Sequence, residues 1–303
     1  MLTPPDLKKG DTIAIVAPAR SISREEIEPA MEMINEWGFK IVTGKNLFNK
    51  HHQFSGTDRE RAEDLQQMLD DDNIKAMLCA RGGYGTIRTL EHLNFEKFVR
   101  YPKWIIGFSD ITVLHSYINT KLGIKTLHAQ MATNFPANGR ANQSISLLKE
   151  TLFGNPLSHS WDTDIKIPEE AEIRGELTGG NLSVLYSISG TPYDIKTDGK
   201  ILFIEDLDEY LYHIDRMMMN FKLSGKFERI KGLIIGGMTE MNDNKVAFGK
   251  TAYEIIQEIA ASFDFPLFPD CPSGHIDNNL PLIMGGTANV IKKGKTITLE
   301  FIS

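Results

Sequence analysis

The stretch TIAIVAPARSISREEIEPAMEMINEWGFKIVTG, residues 12–44, holds one whole repeat of a fold. It begins with a short apolar run, TIAIVAPA, passes at Arg24 into the helical pattern REEIEPAMEMINEWG, and returns at Phe39 to a second apolar run, FKIVTG. Short runs enriched in Ile and Val, separated by an amphipathic helix, mark a βαβ unit and therefore a parallel sheet. The pattern continues with a helix from Asp58 (DRERAEDLQQMLDD), a strand from Ile74 (IKAMLCA) and another from Lys103 (KWIIGF). After Thr112, VLHSYINTKLG reads as a helix that stops at Gly123, a residue suited to a left-handed cap.

Between 153 and 175 the periodicity lapses into FGNPLSHSWDTDIKIPEEAEIRG, rich in Pro, Gly, Ser and charge. A linker is expected there, between a domain at 1–152 and a second at 176–303. The second contains GGNLSVLYSISG (179–190), the strand KILFIED (200–206), the helix YLYHIDRMMMNFKLSG, the strand KGLIIGGM and the helix KTAYEIIQEIAASF. The fold class is therefore α/β: an N-terminal flavodoxin- or Rossmann-like domain with a parallel sheet, and a smaller C-terminal domain, α/β or partly β.

The chain has 303 residues, 41% hydrophobic and 24% charged, enough for cores of this size. A net charge of -7 supplies no basic stripe, so small molecules or peptides are expected as partners and nucleic acid is not. The N-terminus MLTPPDLKKGDTIAIVAPARS lacks the form of a signal peptide, and no run approaches the ~20 apolar residues of a membrane span. A cytoplasmic protein with no membrane partner is expected. Cys79 and Cys271 form no CxxC pair and read as reduced thiols. No HExxH or other ligand spacing is present, so neither a metal nor a cofactor is expected.

Sites in parallel α/β sheets form beyond the carboxyl ends of the strands. Four features fall at such ends. ARGGYGT, 80–86, places adjacent glycines where a backbone can approach a ligand and offer amides to an oxyanion, or where a turn merely needs positive φ. GFSDIT puts Ser109 on a sharp strand-to-helix turn like that of a nucleophile elbow, although Asp110 and Ile111 depart from GxSxG. Ser and Asp are also good helix caps, and capping is the plainer reading of this stretch taken alone. ILFIEDLDEY, 201–210, ends an apolar strand in acids, of which Glu205 sits closest to the strand end and one at most would orient a histidine. CPSGHIDNNLPLIMGG, 271–286, places His275 among turn formers, either as a base beside a cleft or as a surface residue. Other histidines are weaker candidates: His213 lies four residues after Glu209, the spacing of a surface pair.

ARGGYG, IGFSD, GGNLSVL, LFIEDLDEYLYHIDRM and SGHIDNNLPLIMG occur in the order and approximate spacing of the LD-carboxypeptidases. This serine peptidase family includes muramoyltetrapeptide carboxypeptidase and the microcin C self-immunity peptidases, and the resemblance covers nearly the whole chain. It implies a triad of Ser109, Glu205 and His275, with the backbone amides of Gly83 and Asp110 as oxyanion donors. It also implies a muropeptide or short-peptide substrate, cleaved between meso-diaminopimelate and terminal D-alanine during cell-wall recycling, and a homodimer. Arg81 and Arg216 are candidates for binding the terminal carboxylate, as guanidinium forks. The alternatives are a microcin-immunity type peptidase acting on peptidyl or aminoacyl nucleotides, and a non-catalytic binding protein with the same fold.

Overall fold

A computed structural model describes residues 1–302. The first half builds a parallel sheet from β1 (Thr12–Val16), β2 (Lys40–Thr43), β3 (Ile74–Cys79), β4 (Trp104–Gly107) and β5 (Thr126–His128), ordered β2-β1-β3-β4-β5. That order is flavodoxin-like, with its topological switch between β1 and β3, where loops diverge and leave a crevice. The connecting helices start where the sequence caps them. Ser23 and Glu26 close a capping box on α1 (Arg24–Glu36), and Thr57 and Glu60 close another on α2 (Asp58–Asp70). After α3 (Glu96–Arg100) and β4, a 3₁₀ turn at Ser109–Ile111 leads into α4 (Thr112–Tyr117). One π turn follows, and Gly123 closes the segment in the left-handed conformation, at φ 67°.

α5 (Gln143–Leu152) ends the first half. The stretch 153–175, expected to be an irregular linker, instead contains β6 (Ser158–Asp162) and much of β7 (Glu170–Asn181). In β6 only His159 and Trp161 face inward, so its signal is a two-residue alternation among polar neighbours rather than an apolar run. β7 turns into α6 (Leu182–Ser187), and β8 (Ile201–Leu207) leads to α7 (Leu211–Leu223). Next come β9 (Gly232–Thr239), α8 (Ala252–Ala260), β10 (Leu267–Phe268), β11 (Leu282–Met284), β12 (Thr287–Lys293) and β13 (Thr296–Ile302). The second sheet has the order β10-β9-β8-β7-β12-β13-β6, parallel from β10 to β7 and antiparallel beyond. β11 leaves it and pairs antiparallel with β5, extending the first sheet.

The two halves share one apolar core. Ile111, Val113 and Leu114 lie in the same buried cluster as Leu182, Leu185 and Ile204. Met217 and Met218 are fully buried in it, in keeping with a packing role for the methionine run. Among the described residues no helix is long and apolar enough to cross a membrane.

At the junction, β7 presses its backbone against α4. Thr112 Oγ1 accepts from the Asn181 amide at 3.0 Å, and a Cβ on Gly180 would stand 2.6 Å from the same oxygen. Gly180 also has φ +138°, which side chains rarely adopt. Gly180→Ala is therefore expected to lower stability by about 2–4 kcal/mol, combining backbone strain with overpacking. Gly199→Ala, at φ +68° with nothing within 4 Å, is expected to cost only about 1 kcal/mol. Urea midpoints at unchanged slope check both, and equal losses would refute the contact.

Candidate active site

Ser109 lies one residue beyond the end of β4, after Phe108, and holds φ 62°, an uncommon conformation for a residue with a side chain. Such strain, of order 1–3 kcal/mol, persists where the surroundings enforce it. Here the neighbouring loop supplies the room: a Cβ on Gly82 would come within 3.1 Å of Ser109 Cβ and 3.2 Å of Oγ. Neither Ser109 nor Asp110 caps the helix it precedes. The buried Asp110 carboxylate instead accepts from the Thr86 amide at 2.8 Å, where the chain after the glycine loop begins its own 3₁₀ helix. Ser109 is thereby free of the capping role that its sequence context suggests. His115, neutral because burial pushes it down to about 4, donates its Nε2–H to Gly107 O at 2.8 Å and braces the same turn from below.

Glu205 lies within β8, and the pairing of β8 with β9 shifts register between Ile204 and Asp206. A bulge of this kind re-aims side chains. The two adjacent acids, both buried, accordingly serve different partners. Glu205 Oε2 accepts from His275 Nδ1 at 2.7 Å and from the His275 amide at 3.1 Å. Asp206 accepts from Asn181 Nδ2 and from the Ser183 amide, each at 2.9 Å. Burial, reinforced by the Glu205 charge, pushes the Asp206 carboxyl up to about 7. For His275, burial disfavours the imidazolium. The Glu205 hydrogen bond and charge, with Asp206 and Glu240 beyond, outweigh that and hold the ring above its usual 6.5. The His275 ring packs against that of Phe108, with centroids 4.9 Å apart, beside Ser109 in the chain.

Ser109, His275, Gly82, Gly83 and Arg81 line one cavity of about 620 Å³. The structure thus brings the Ser, His and Glu of the sequence reading together from the turn after β4, the loop between β10 and β11, and the interior of β8. Arg81 reaches the cavity but is tied to Glu26 at 3.0 Å. Arg216 does not line it; its guanidinium lies over the Tyr212 ring, 5.2 Å from the centroid. Glu209, just before α7, and His213, in its first turn, form the expected pair at 2.5 Å. A second cavity of about 690 Å³ lies behind the His275 loop, between α8 and β9, and contains neither Ser109 nor the His275 ring. Among the described residues no cluster of three His, Cys, Asp or Glu side chains is placed to hold a metal ion.

Three contributors are hard to find in the sequence. Arg20, on the loop after β1, lines the cavity. Asn181 both caps α6, through Val184 N, and donates to Asp206. Arg61 is buried in the first half and donates to Pro18 O and Gly85 O while pairing with Asp58, so it clasps the loops after β1 and β3. A hydroxyl on a strained turn, an imidazole backed by a buried carboxylate, and nearby glycine amides are the parts from which acyl-transfer sites are made.

Comparison with known proteins agrees in each half of the chain. Residues 13–129 match the LD-carboxypeptidase N-terminal domain and residues 174–290 the LD-carboxypeptidase C-terminal domain. A Bacillus subtilis (strain 168) protein named as a probable murein peptide carboxypeptidase is 34% identical, covering 98% of this chain and 94% of its own. The crystal structure of muramoyltetrapeptide carboxypeptidase from Oxalobacter formigenes superimposes with a TM-score of 0.86 at 26% identity, over 96% of this chain and 99% of that one. The microcin C7 self immunity protein MccF, solved with aspartyl sulfamoyl adenosine, shares the fold at a TM-score of 0.83 and 21% identity, over 99% and 98% of the two chains. With both family domains present in order and such relatives along its whole length, the chain belongs to the LD-carboxypeptidase family of serine-type carboxypeptidases.

Proposed function

We propose that this enzyme hydrolyses the bond between meso-diaminopimelate and a terminal D-alanine in muropeptide tetrapeptides, with Ser109 as nucleophile, His275 as base and Glu205 as its orienting acid. The observation that carries the reading is His275, which shares a cavity with Ser109 and hydrogen-bonds through Nδ1 to the buried Glu205 carboxylate at 2.7 Å. The murein peptide named for the Bacillus subtilis relative supports the choice of substrate. The proposed setting is the cytoplasm, and the proposed assembly a homodimer.

The mechanism follows from the parts. Ser109 Oγ attacks the scissile carbonyl carbon as its proton passes to His275 Nε2, and the carbonyl becomes an oxyanion facing the Gly83 and Asp110 amides. Glu205 holds the Nδ1–H tautomer and steadies the imidazolium. The C–N bond then breaks, the His275 proton goes to the departing D-alanine amine, and an ester remains on Ser109. Water, deprotonated by His275, hydrolyses that ester and restores the enzyme.

Ser109→Ala is expected to lower D-alanine release from L-Ala-γ-D-Glu-meso-Dap-D-Ala by ~10⁴- to 10⁶-fold while the protein stays folded. Release by mass spectrometry, beside an LL-peptide and an aminoacyl-sulfamoyl adenylate, checks both mechanism and substrate. Undiminished release refutes the mechanism, and turnover of the adenylate alone moves the substrate to the nucleotide class. The pH profile offers a separate check. A base must be neutral to accept a proton, so the acidic limb of kcat/KM should lie above pH 6.5, the usual histidine value. Glu205→Gln removes the raising charge and leaves the burial, so the limb should move to lower pH while the maximum falls by up to ~10⁴-fold. An unmoved limb would mean that Glu205 does not face the titrating group.

A further inference from the structure

We infer that Arg20 forms the subsite for the free terminal carboxylate of the substrate. This rests on the acyl-transfer reading above and adds to it the residue that restricts the enzyme to chain ends. Arg20 leaves β1 on the switch side of the first sheet, opposite the loop that leaves β3 with Arg81, Gly82 and Gly83. Its amide donates to Gly82 O at 3.4 Å, and its side chain lies along the bare backbone of Gly83. A Cβ on Gly83 would stand 2.5 Å from Arg20 Cδ and 2.7 Å from Nε. The glycine is therefore needed twice, to expose an amide to the oxyanion and to let the arginine lie across it.

Charge accounting singles out this residue. Arg81 is paired with Glu26, Arg216 stacks on Tyr212 outside the cavity, and Arg61 is buried with its guanidinium engaged by Pro18 O, Gly85 O and Asp58. Among the described residues the Arg20 guanidinium makes no ion pair and no hydrogen bond, yet it lines the cavity of Ser109 and His275. Of the carboxylates on that lining, Glu26 is spent on Arg81, Asp206 is pushed up to about 7, and Asp208 repels a substrate carboxylate from its side. An unpaired guanidinium offers a fork that matches a carboxylate's two oxygens. Lying across Gly83, the Arg20 side chain sits beside the proposed oxyanion donor. A carboxylate held there places the substrate's chain end close to the scissile bond.

The test compares the tetrapeptide acid with its C-terminal D-alaninamide across wild type, Arg20→Ala, Arg20→Lys and Arg81→Ala, measured as kcat/KM. The wild type is expected to favour the acid by roughly 30- to 100-fold, the scale of one charged hydrogen-bonded pair. Arg20→Ala should bring the acid-to-amide ratio towards one, Arg20→Lys should give an intermediate ratio, and Arg81→Ala should preserve it. A wild-type ratio in folded Arg20→Ala, or a collapse in Arg81→Ala instead, overturns the assignment and leaves the acyl-transfer reading standing. Absence of D-alanine release by the wild type overturns that reading and the Arg20 subsite with it.

Discussion

Everything about the site depends on the contact between Thr112 and the Gly180–Asn181 backbone. Thr112 starts α4, three residues after Ser109, and Asn181 lies opposite Glu205 in the β7–β8 register. One hydroxyl accepting one amide at 3.0 Å therefore fixes the distance between the two halves of the proposed catalytic machinery. The absence of a side chain at Gly180 allows the approach, and the shared apolar core around Ile111, Leu182 and Ile204 holds it shut. The hydrophobic effect supplies the adhesion but carries no direction, so register and orientation are left to the hydrogen bond and the bare glycine.

From this junction the polar chemistry spreads outward. Asn181 passes its amide to Thr112, its side-chain oxygen to the start of α6 and its side-chain nitrogen to Asp206. Asp206 and Glu205, adjacent at a bulge, crowd two carboxylates into a buried space. The cost falls on Asp206, pushed up to about 7, and on His275, held above its usual value. Those two groups face the same cavity, so the charge of the buried acids acts directly on the base.

Much of the first sheet is legible in the sequence because its inner strands are buried on both faces and read as compact apolar runs, as in IKAMLC and WIIG, while the edge strand β2 is half-exposed and the three-residue β5 gives no such run. The helices are legible from their caps. The second sheet is harder. β6 and the start of β7 are half-exposed, with single inward residues such as His159 and Trp161 among Ser, Asp and Glu. β11 is three residues long and owes its existence to pairing with β5, more than 150 positions earlier in number, which no local pattern announces. At the site, the motif order indicates Ser109, Glu205 and His275, and the structure gathers these three. Arg20 carries no such mark: an arginine after PA becomes meaningful only once the fold lays it over Gly83. Arg81 has the more suggestive neighbours in the sequence, but Glu26, 55 residues away, occupies it.

The central claim is covalent: Ser109 takes up the acyl group with His275 as its base. Reaction with a fluorophosphonate followed by peptide mapping tests that claim most directly, because phosphonylation needs the same activated oxygen. The account predicts one adduct per chain, on Ser109, and its loss in His275→Ala. An adduct at another residue, or no adduct under conditions where D-alanine release is undiminished, would contradict it.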